Sequence, residues 1–330
     1  MAAVPMIELW RGEILESAHA GHAVICDANG TVVQAWGDAD AVVYPRSSSK
    51  MLQALPLIES GAADAVGLTE RQLALACASH IGAALHTGMV TDWLAGLGMG
   101  ESDLRCGSHW PSDIAARDLL VKTDASPCQI HNNCSGKHSG FLTLNRHLRG
   151  GPEYIEVDHP VQRAIRAAFE DVTGMDSPGY GIDGCSAPNF ATTVTAMARA
   201  MAFFAGANPD GSLRERAAVR LHRAMATYPE MVSGDGKACT SLMQAMAGKV
   251  TLKGGAEGFY VAILPEQRLG IALKIVDGAE RAKEAAITAL LLRLGVLEHG
   301  HPAVAEFLTG PIRNCGGKIT GTIRLAPGFA

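Results

Sequence analysis

The chain has 330 residues, 48% hydrophobic and 18% charged, with a formal net charge of −5. That length suits one elaborated unit with a large core, and the composition excludes disorder. With no basic block the chain offers no footing for nucleic acid or an anionic membrane, and its longest apolar run, 285–297, contains Arg293 and is too short to cross a bilayer.

The first thirteen residues lack a basic start followed by a continuous apolar core, so no signal peptide is expected and a cytoplasmic location is. In that reducing setting cysteines 26, 77, 106, 128, 134, 185, 239 and 315 are expected as thiols, metal ligands or catalytic groups rather than disulfides.

Residues 22–27 and 31–36 are β-rich runs flanking Asn29-Gly30, which predicts a hairpin, and 42–46 extends toward the same sheet. A helix is expected to open at Ser47 or its neighbour. From about 62 to 247 the pattern is mostly helical. Thr69 with Gln72 has the spacing of a capping box, Ala187-Pro188-Asn189 introduces a helical stretch through 205, and 213–227 is amphipathic. Two β-favouring segments, 258–264 and 269–276, joined by Pro265-Glu266-Gln267-Arg268, predict a second hairpin, followed by a helix over 279–294. The simplest assembly is α+β: one antiparallel sheet from the N- and C-terminal hairpins, packed with helices, plus a mostly helical insertion. It reads as a single interleaved unit, 1–330, with the sheet part at about 1–60 and 248–330 and the helical part at about 61–247.

Five polar clusters stand against this apolar background. In Arg46-Ser47-Ser48-Ser49-Lys50, a hydroxyl and an amine three positions apart share one helical face, the Ser-x-x-Lys arrangement of a nucleophile with an amine base; a plain helix cap fits the same residues. Cys77-Ala78-Ser79-His80 ends a helical run and suits either a cavity-facing loop or a buried cap. The run from His131 to Gly140 feeds a helix start, where free backbone donors concentrate function. Within it Cys134 and His138 have the spacing of a helical ligand pair, with Lys137 beside them. Gly181 to Pro188 is a turn carrying Asp183 and Cys185, and the two thiols are either inert or a shared metal site. Lys253-Gly254-Gly255 precedes a strand, where its lysine is either solvated or projected from the sheet edge.

In this order the clusters resemble the rhizobial-type L-asparaginases, the asparaginase II family, which is similar in fold to serine β-lactamases and penicillin-binding proteins. The resemblance runs through Arg46-Ser47-x-x-Lys50, Cys77-Ala78-Ser79-His80, Leu104-Arg105-Cys106-Gly107, Asn133-Cys134-Ser135-Gly136-Lys137-His138, Asp183-Gly184-Cys185, His222-Arg223-Ala224-Met225, Pro229-Glu230-Met231-Val232 and Ala272 to Gly278. It implies hydrolysis of L-asparagine to L-aspartate and ammonia. It further implies serine–lysine pairs at Ser47 with Lys50 and at Ser79 with Lys253, and an assisting zinc held by Cys134, Lys137 and Cys185. His138 then becomes a substrate or outer contact rather than a ligand, Arg46 a partner for the substrate α-carboxylate, and Asp183 one for its ammonium. A lysine binds metal only when neutral. No Ser-Asp-Asn triplet accompanies Lys253-Gly254-Gly255, which argues against β-lactam chemistry.

Ser47 is the expected nucleophile and Lys50 its base, with Ser79 and Lys253 relaying a proton or activating the deacylating water. The alternatives are a related amidase, glutaminase or Ser-x-x-Lys peptidase, and, from another class, a non-catalytic zinc-stabilised binding protein. A homodimer is expected for a soluble enzyme of this size.

Overall fold

The computed structural model describes residues 2–330. They form two compact units, Met1–Ser48 with Thr192–Gly206 and Ser241–Ala330, and Ser49–Ala191 with Ala207–Thr240.

The first unit is built on an eight-stranded antiparallel sheet. Its strands are β1 (Val4–Arg11), β2 (Ile14–Asp27), β3 (Val32–Trp36), β4 (Thr251–Gly254), β5 (Phe259–Leu264), β6 (Leu269–Ile275), β7 (Pro311–Arg313) and β8 (Ile319–Leu325). The order is β7-β8-β1-β2-β6-β5-β4, with β3 also paired to β2. The predicted hairpins are β2–β3 and β5–β6, and β2 joins them with Ile25 opposite Ile271 and Val24 opposite Ala272.

Successive strand residues face opposite sides, and all six residues of β5 are buried, so the sheet is covered on both faces there. The helices Val194–Gly206 and Glu280–Arg293 provide that cover, the former on β2, β5 and β6, the latter on β1, β5 and β6. Val194–Gly206 is apolar almost all round, as a helix buried against a sheet must be. The boundaries read from sequence assigned it to the helical part; it packs with the sheet. Its start also differs, because Pro188–Phe190 is a short strand and the helix begins only at Val194.

The second unit is helical. Lys50–Glu59 sits among the helices Ser135–Leu148, Pro160–Thr173 and Leu213–Thr227. Its first eight residues are all buried, Lys50 and Gln53 included. The expected capping box is present: Thr69 accepts from the Gln72 amide and Gln72 reaches back to Thr69, starting the helix Glu70–Ala76. That helix packs against Ser135–Leu148 closely enough that a Cβ on Gly136 would lie 2.5 Å from the Leu75 carbonyl oxygen. Only glycine fits there, which explains the residue between Ser135 and Lys137.

Candidate active site

In the first unit, Arg46–Ser49 is a single 3-10 turn running directly into the helix that starts at Lys50. Arg46 enters it at φ +51°, a left-handed conformation that costs a residue other than glycine about 1–3 kcal/mol and is retained where surroundings impose it. Ser47 is half-buried, and its hydroxyl makes no hydrogen bond among the described residues. Ser48, buried, donates to the Lys253 carbonyl at 3.0 Å. Gly255 lies so close to this turn that a Cβ would meet the Pro45 carbonyl oxygen at 2.7 Å and Ser48 Oγ at 2.8 Å. Lys253, 1% exposed, places Nζ 2.8 Å from the Gly254 carbonyl. Lys283, from the covering helix, donates to the Gly255 carbonyl at 2.8 Å. The Ser47 turn and the Lys253-Gly254-Gly255 segment are thus one packed structure.

In the second unit, Lys50 is 1% exposed. Its Nζ donates to the Ala78 carbonyl, lies 3.0 Å from Ser79 Oγ and 3.1 Å from Cys134 Sγ. A buried amine needs such partners, because an unsatisfied one would carry the full cost of leaving water. Ser79 follows the end of Glu70–Ala76, and its amide is tied to the Val232 carbonyl at 2.9 Å. The next residue braces the loop: His80 Nδ1 accepts from the Gly82 amide at 3.1 Å, so Nε2 donates to Ser135 Oγ at 2.9 Å, and Ser135 donates to the Ile130 carbonyl. Burial above all holds His80 well below the ordinary imidazole range, in keeping with that neutral form.

Cys134 is the residue before the helix Ser135–Leu148 and donates to Asn133 Oδ1 at 3.1 Å. Lys137, one turn on, places Nζ 3.0 Å from Cys185 Sγ and 5.0 Å from the centre of the Phe141 ring. Cys185 comes from a tight turn between the short strands Tyr180–Ile182 and Pro188–Phe190, closed by the Asp183 amide donating to the Ala187 carbonyl and the Ser186 amide to the Asp183 carbonyl, with Ser186 left-handed at φ +69°. The neighbouring Cys134 thiol above all holds Cys185 below the ordinary thiol range, helped by the Lys137 charge against burial, while the Cys185 sulfur and burial push Cys134 up. Burial works to lower the Lys137 pKa, but the Cys185 and Cys134 sulfurs outweigh it and leave it raised. Lys137 and Cys185 thus each favour the charged form of the other.

Two sulfurs and one nitrogen converge here, all at most 5% exposed. Soft thiolates with a nitrogen donor suit zinc once the lysine has given up its proton. Among the described residues no group of three His, Cys, Asp or Glu is placed to hold a metal, so this set reaches three donors only through Lys137. His138 stands beside Cys185 and Lys137, and burial above all lowers its pKa. Its Nδ1 is 2.9 Å from Tyr154 Oη, and its Nε2 is buried with no hydrogen-bond partner among the described residues.

Of the residues expected from sequence, the second unit gathers Lys50, Ser79, Cys134, Lys137, His138 and Cys185 into one linked cluster, with Asp183 in the turn that presents Cys185. The first unit carries Arg46, Ser47 and Lys253. Lys283, Asn133 and Tyr154 were missed. Neither Lys283, one of several charged residues in the first turns of its helix, nor Tyr154, a single aromatic in a polar loop, carried a signal.

No curated protein matches the chain. The family described as L-asparaginase II matches residues 7–325. Among solved structures the chain is similar to Mglu, with a TM-score of 0.50 and 15% identity over 85% of this chain and 68% of that one. Mglu in its native form gives 0.48 and 15%, over 85% and 66%. A beta-lactamase from Mycobacterium bovis gives 0.47 and 14%, over 84% and 95%. At such identities the likeness is one of fold. The chain spans 60% to 66% of the first two Mglu chains it matches.

Proposed function

The chain belongs to the L-asparaginase II family, and from that premise we propose that it hydrolyses L-asparagine to L-aspartate and ammonia. Membership places it among amide hydrolases; the substrate, the serine–lysine chemistry and the zinc are our reading. No helix is long and apolar enough to cross a membrane, and the reading includes a cytoplasmic homodimer.

The observation that carries it is a lysine amine, 1% exposed, held 3.0 Å from a serine hydroxyl, the contact a general base needs with its nucleophile or relay. In the reading we favour, Ser47 Oγ attacks the carboxamide carbon and its proton passes to Lys50. The tetrahedral intermediate then expels ammonia, which leaves with that proton. Ser79 and Lys253 serve the second half, in which water attacks the acyl ester and aspartate departs. The uncommitted Ser47 hydroxyl, on a turn entered through a strained residue, suits a nucleophile. Arg46 and Asp183 would take the substrate carboxylate and ammonium. Cys134, Lys137 and Cys185 would hold zinc, which when bound supplies a fixed positive charge tying the two loops together. The Lys50–Ser79 contact also favours a second reading, in which Ser79 attacks with Lys50 as base.

Ammonia release from L-asparagine and L-glutamine, with and without chelator, tests the activity. Turnover of L-asparagine is expected, with Lys50→Met losing about 10²- to 10⁴-fold. Mass spectrometry of acid-quenched enzyme separates the serines: the first reading expects the acyl adduct to vanish in Ser47→Ala and persist in Ser79→Ala, the second the reverse. No release from either amide by folded protein would sink both.

A further inference from the structure

Lys283 has no part in the chemistry above, yet it is buried beside the segment that presents Lys253. We propose that Lys283 is a positioning residue: its ammonium fixes the Gly255 peptide just past the end of strand β4 and so holds Lys253 in place against the Ser47 turn. The proposal rests on the reading of Lys253 as a working group of the hydrolase.

The pairing of β4 with β5 sets Lys253 opposite Val261 and Gly254 opposite Tyr260, and Gly254 is the last residue of the strand. Beyond it Gly255 is held on three sides. Its amide donates to the Phe259 carbonyl at 2.8 Å, and its carbonyl accepts from Lys283 Nζ at 2.8 Å. On the side where a Cβ would stand lie the Pro45 carbonyl oxygen and Ser48 Oγ. Ser48 in turn donates to the Lys253 carbonyl at 3.0 Å. Lys253 therefore sits between two pins, Ser48 at its own carbonyl and Lys283 two residues further on. The first belongs to the turn that carries Ser47; the second reaches in from the helix Glu280–Arg293.

Packing alone does not call for a charge at 283. Lys283 is 7% exposed, and the other buried residues of its helix, from Ala282 to Leu291, are alanine, isoleucine, threonine and leucine. A methionine there would cover the sheet without taking an ammonium out of water, and replacing buried charges by apolar residues is often neutral or stabilising. Glu280 stands 3.8 Å away with its side chain 72% exposed, and a pair of that kind contributes little. What the ammonium gains is a charge-assisted bond to one backbone carbonyl, at the residue that packs on the Ser47 turn.

Amide hydrogen exchange and steady-state kinetics test the proposal on wild type, on Lys283→Met, which keeps the apolar stem and removes the donor, and on Lys283→Arg, which keeps a donor. In wild type the Gly255 amide should exchange within about tenfold of the β4 amides, although it lies past the paired residues. In Lys283→Met it should exchange at least about tenfold faster, with the amides of the helix Glu280–Arg293 within about threefold of wild type. Exchange needs no turnover, so this measurement stands apart from the asparaginase reading. On whichever amide is hydrolysed, Lys283→Met should lower kcat about 10- to 100-fold without raising KM, as a misplaced reacting group does, and Lys283→Arg should recover kcat to within about threefold of wild type. A Gly255 amide that exchanges freely in wild type overturns the proposal even if neither variant folds. So does a methionine variant with Gly255 exchange or kcat unmoved, faster exchange spread along the whole helix, or an arginine variant as slow as the methionine one.

Discussion

In the first unit Ser48 and Lys283 direct their polar atoms to the backbone carbonyls of Lys253 and Gly255, whereas in the second unit Lys50, Ser79, Cys134, Lys137 and Cys185 bond to one another through side chains. A backbone-held structure depends on close approach, and Gly255 is where the approach is tightest. A structure of bonded titratable groups depends on which of them carry protons. The second unit also buries four histidines, His80, His86, His138 and His222, against two in the first, His19 and His22. The two should therefore fail differently, one to added volume and the other to acid.

The largest effect that separates them is at His222, 8% exposed, which burial pushes down to about 4. An unfolded imidazole titrates near 6.5, so between about 6.5 and 4 the unfolded chain binds the extra proton and acid favours unfolding. The stability is fully present above about 6.5 and is lost as pH falls toward 4, by about 3 kcal/mol for a shift of this size. Urea titrations at several pH values should show that slope in the wild type and a flatter one in His222→Leu. Parallel pH profiles would show that the acid sensitivity lies elsewhere.

Gly255→Ala probes the other side. A methyl group 2.7 Å from a backbone carbonyl forces the turn to move, and overpacking of that kind costs about 1–3 kcal/mol. The loss should be the same at pH 8 and pH 6 and should be accompanied by reduced turnover, because the shifted segment also carries Lys253. Unchanged stability and activity would mean that the segment yields freely, and the contrast between the units would lose its basis.

The central strands were legible because residues 22–27 of β2, together with β5 and β6, are mostly apolar, β-favouring stretches between clear turns. The outer strands were not: β1 mixes buried and exposed residues, and β7 and β8 are mostly surface, so neither leaves an apolar run to read. Val194–Gly206 was legible as a helix, but an apolar surface on every side does not say what it will pack against. In the site, Lys137 and Cys185 could be picked out from their Gly-rich loops, while their 3.0 Å contact depends on a turn 48 residues away. Asn133 and Tyr154 act on single atoms of their neighbours, which no spacing rule encodes.

The smallest effect decides an ambiguity present in the sequence from the start, since Ser47 and Thr69 both precede helices and both have the residue type of a cap. Thr69 behaves as one, with its side chain accepting from the Gln72 amide. Ser47 does not: the residue before Lys50 is Ser49, the helix has no side-chain cap, and the Ser47 hydroxyl is uncommitted. Thr69→Ala should therefore lower stability by about 1 kcal/mol and leave turnover nearly intact. Ser47→Ala should stay within about 0.5 kcal/mol of wild type in stability while turnover collapses. Denaturant midpoints and ammonia release on the same two variants check both halves. If Ser47→Ala instead destabilised as much as Thr69→Ala and kept its activity, the serine would be a cap after all, and Ser79 would inherit the role of nucleophile beside Lys50.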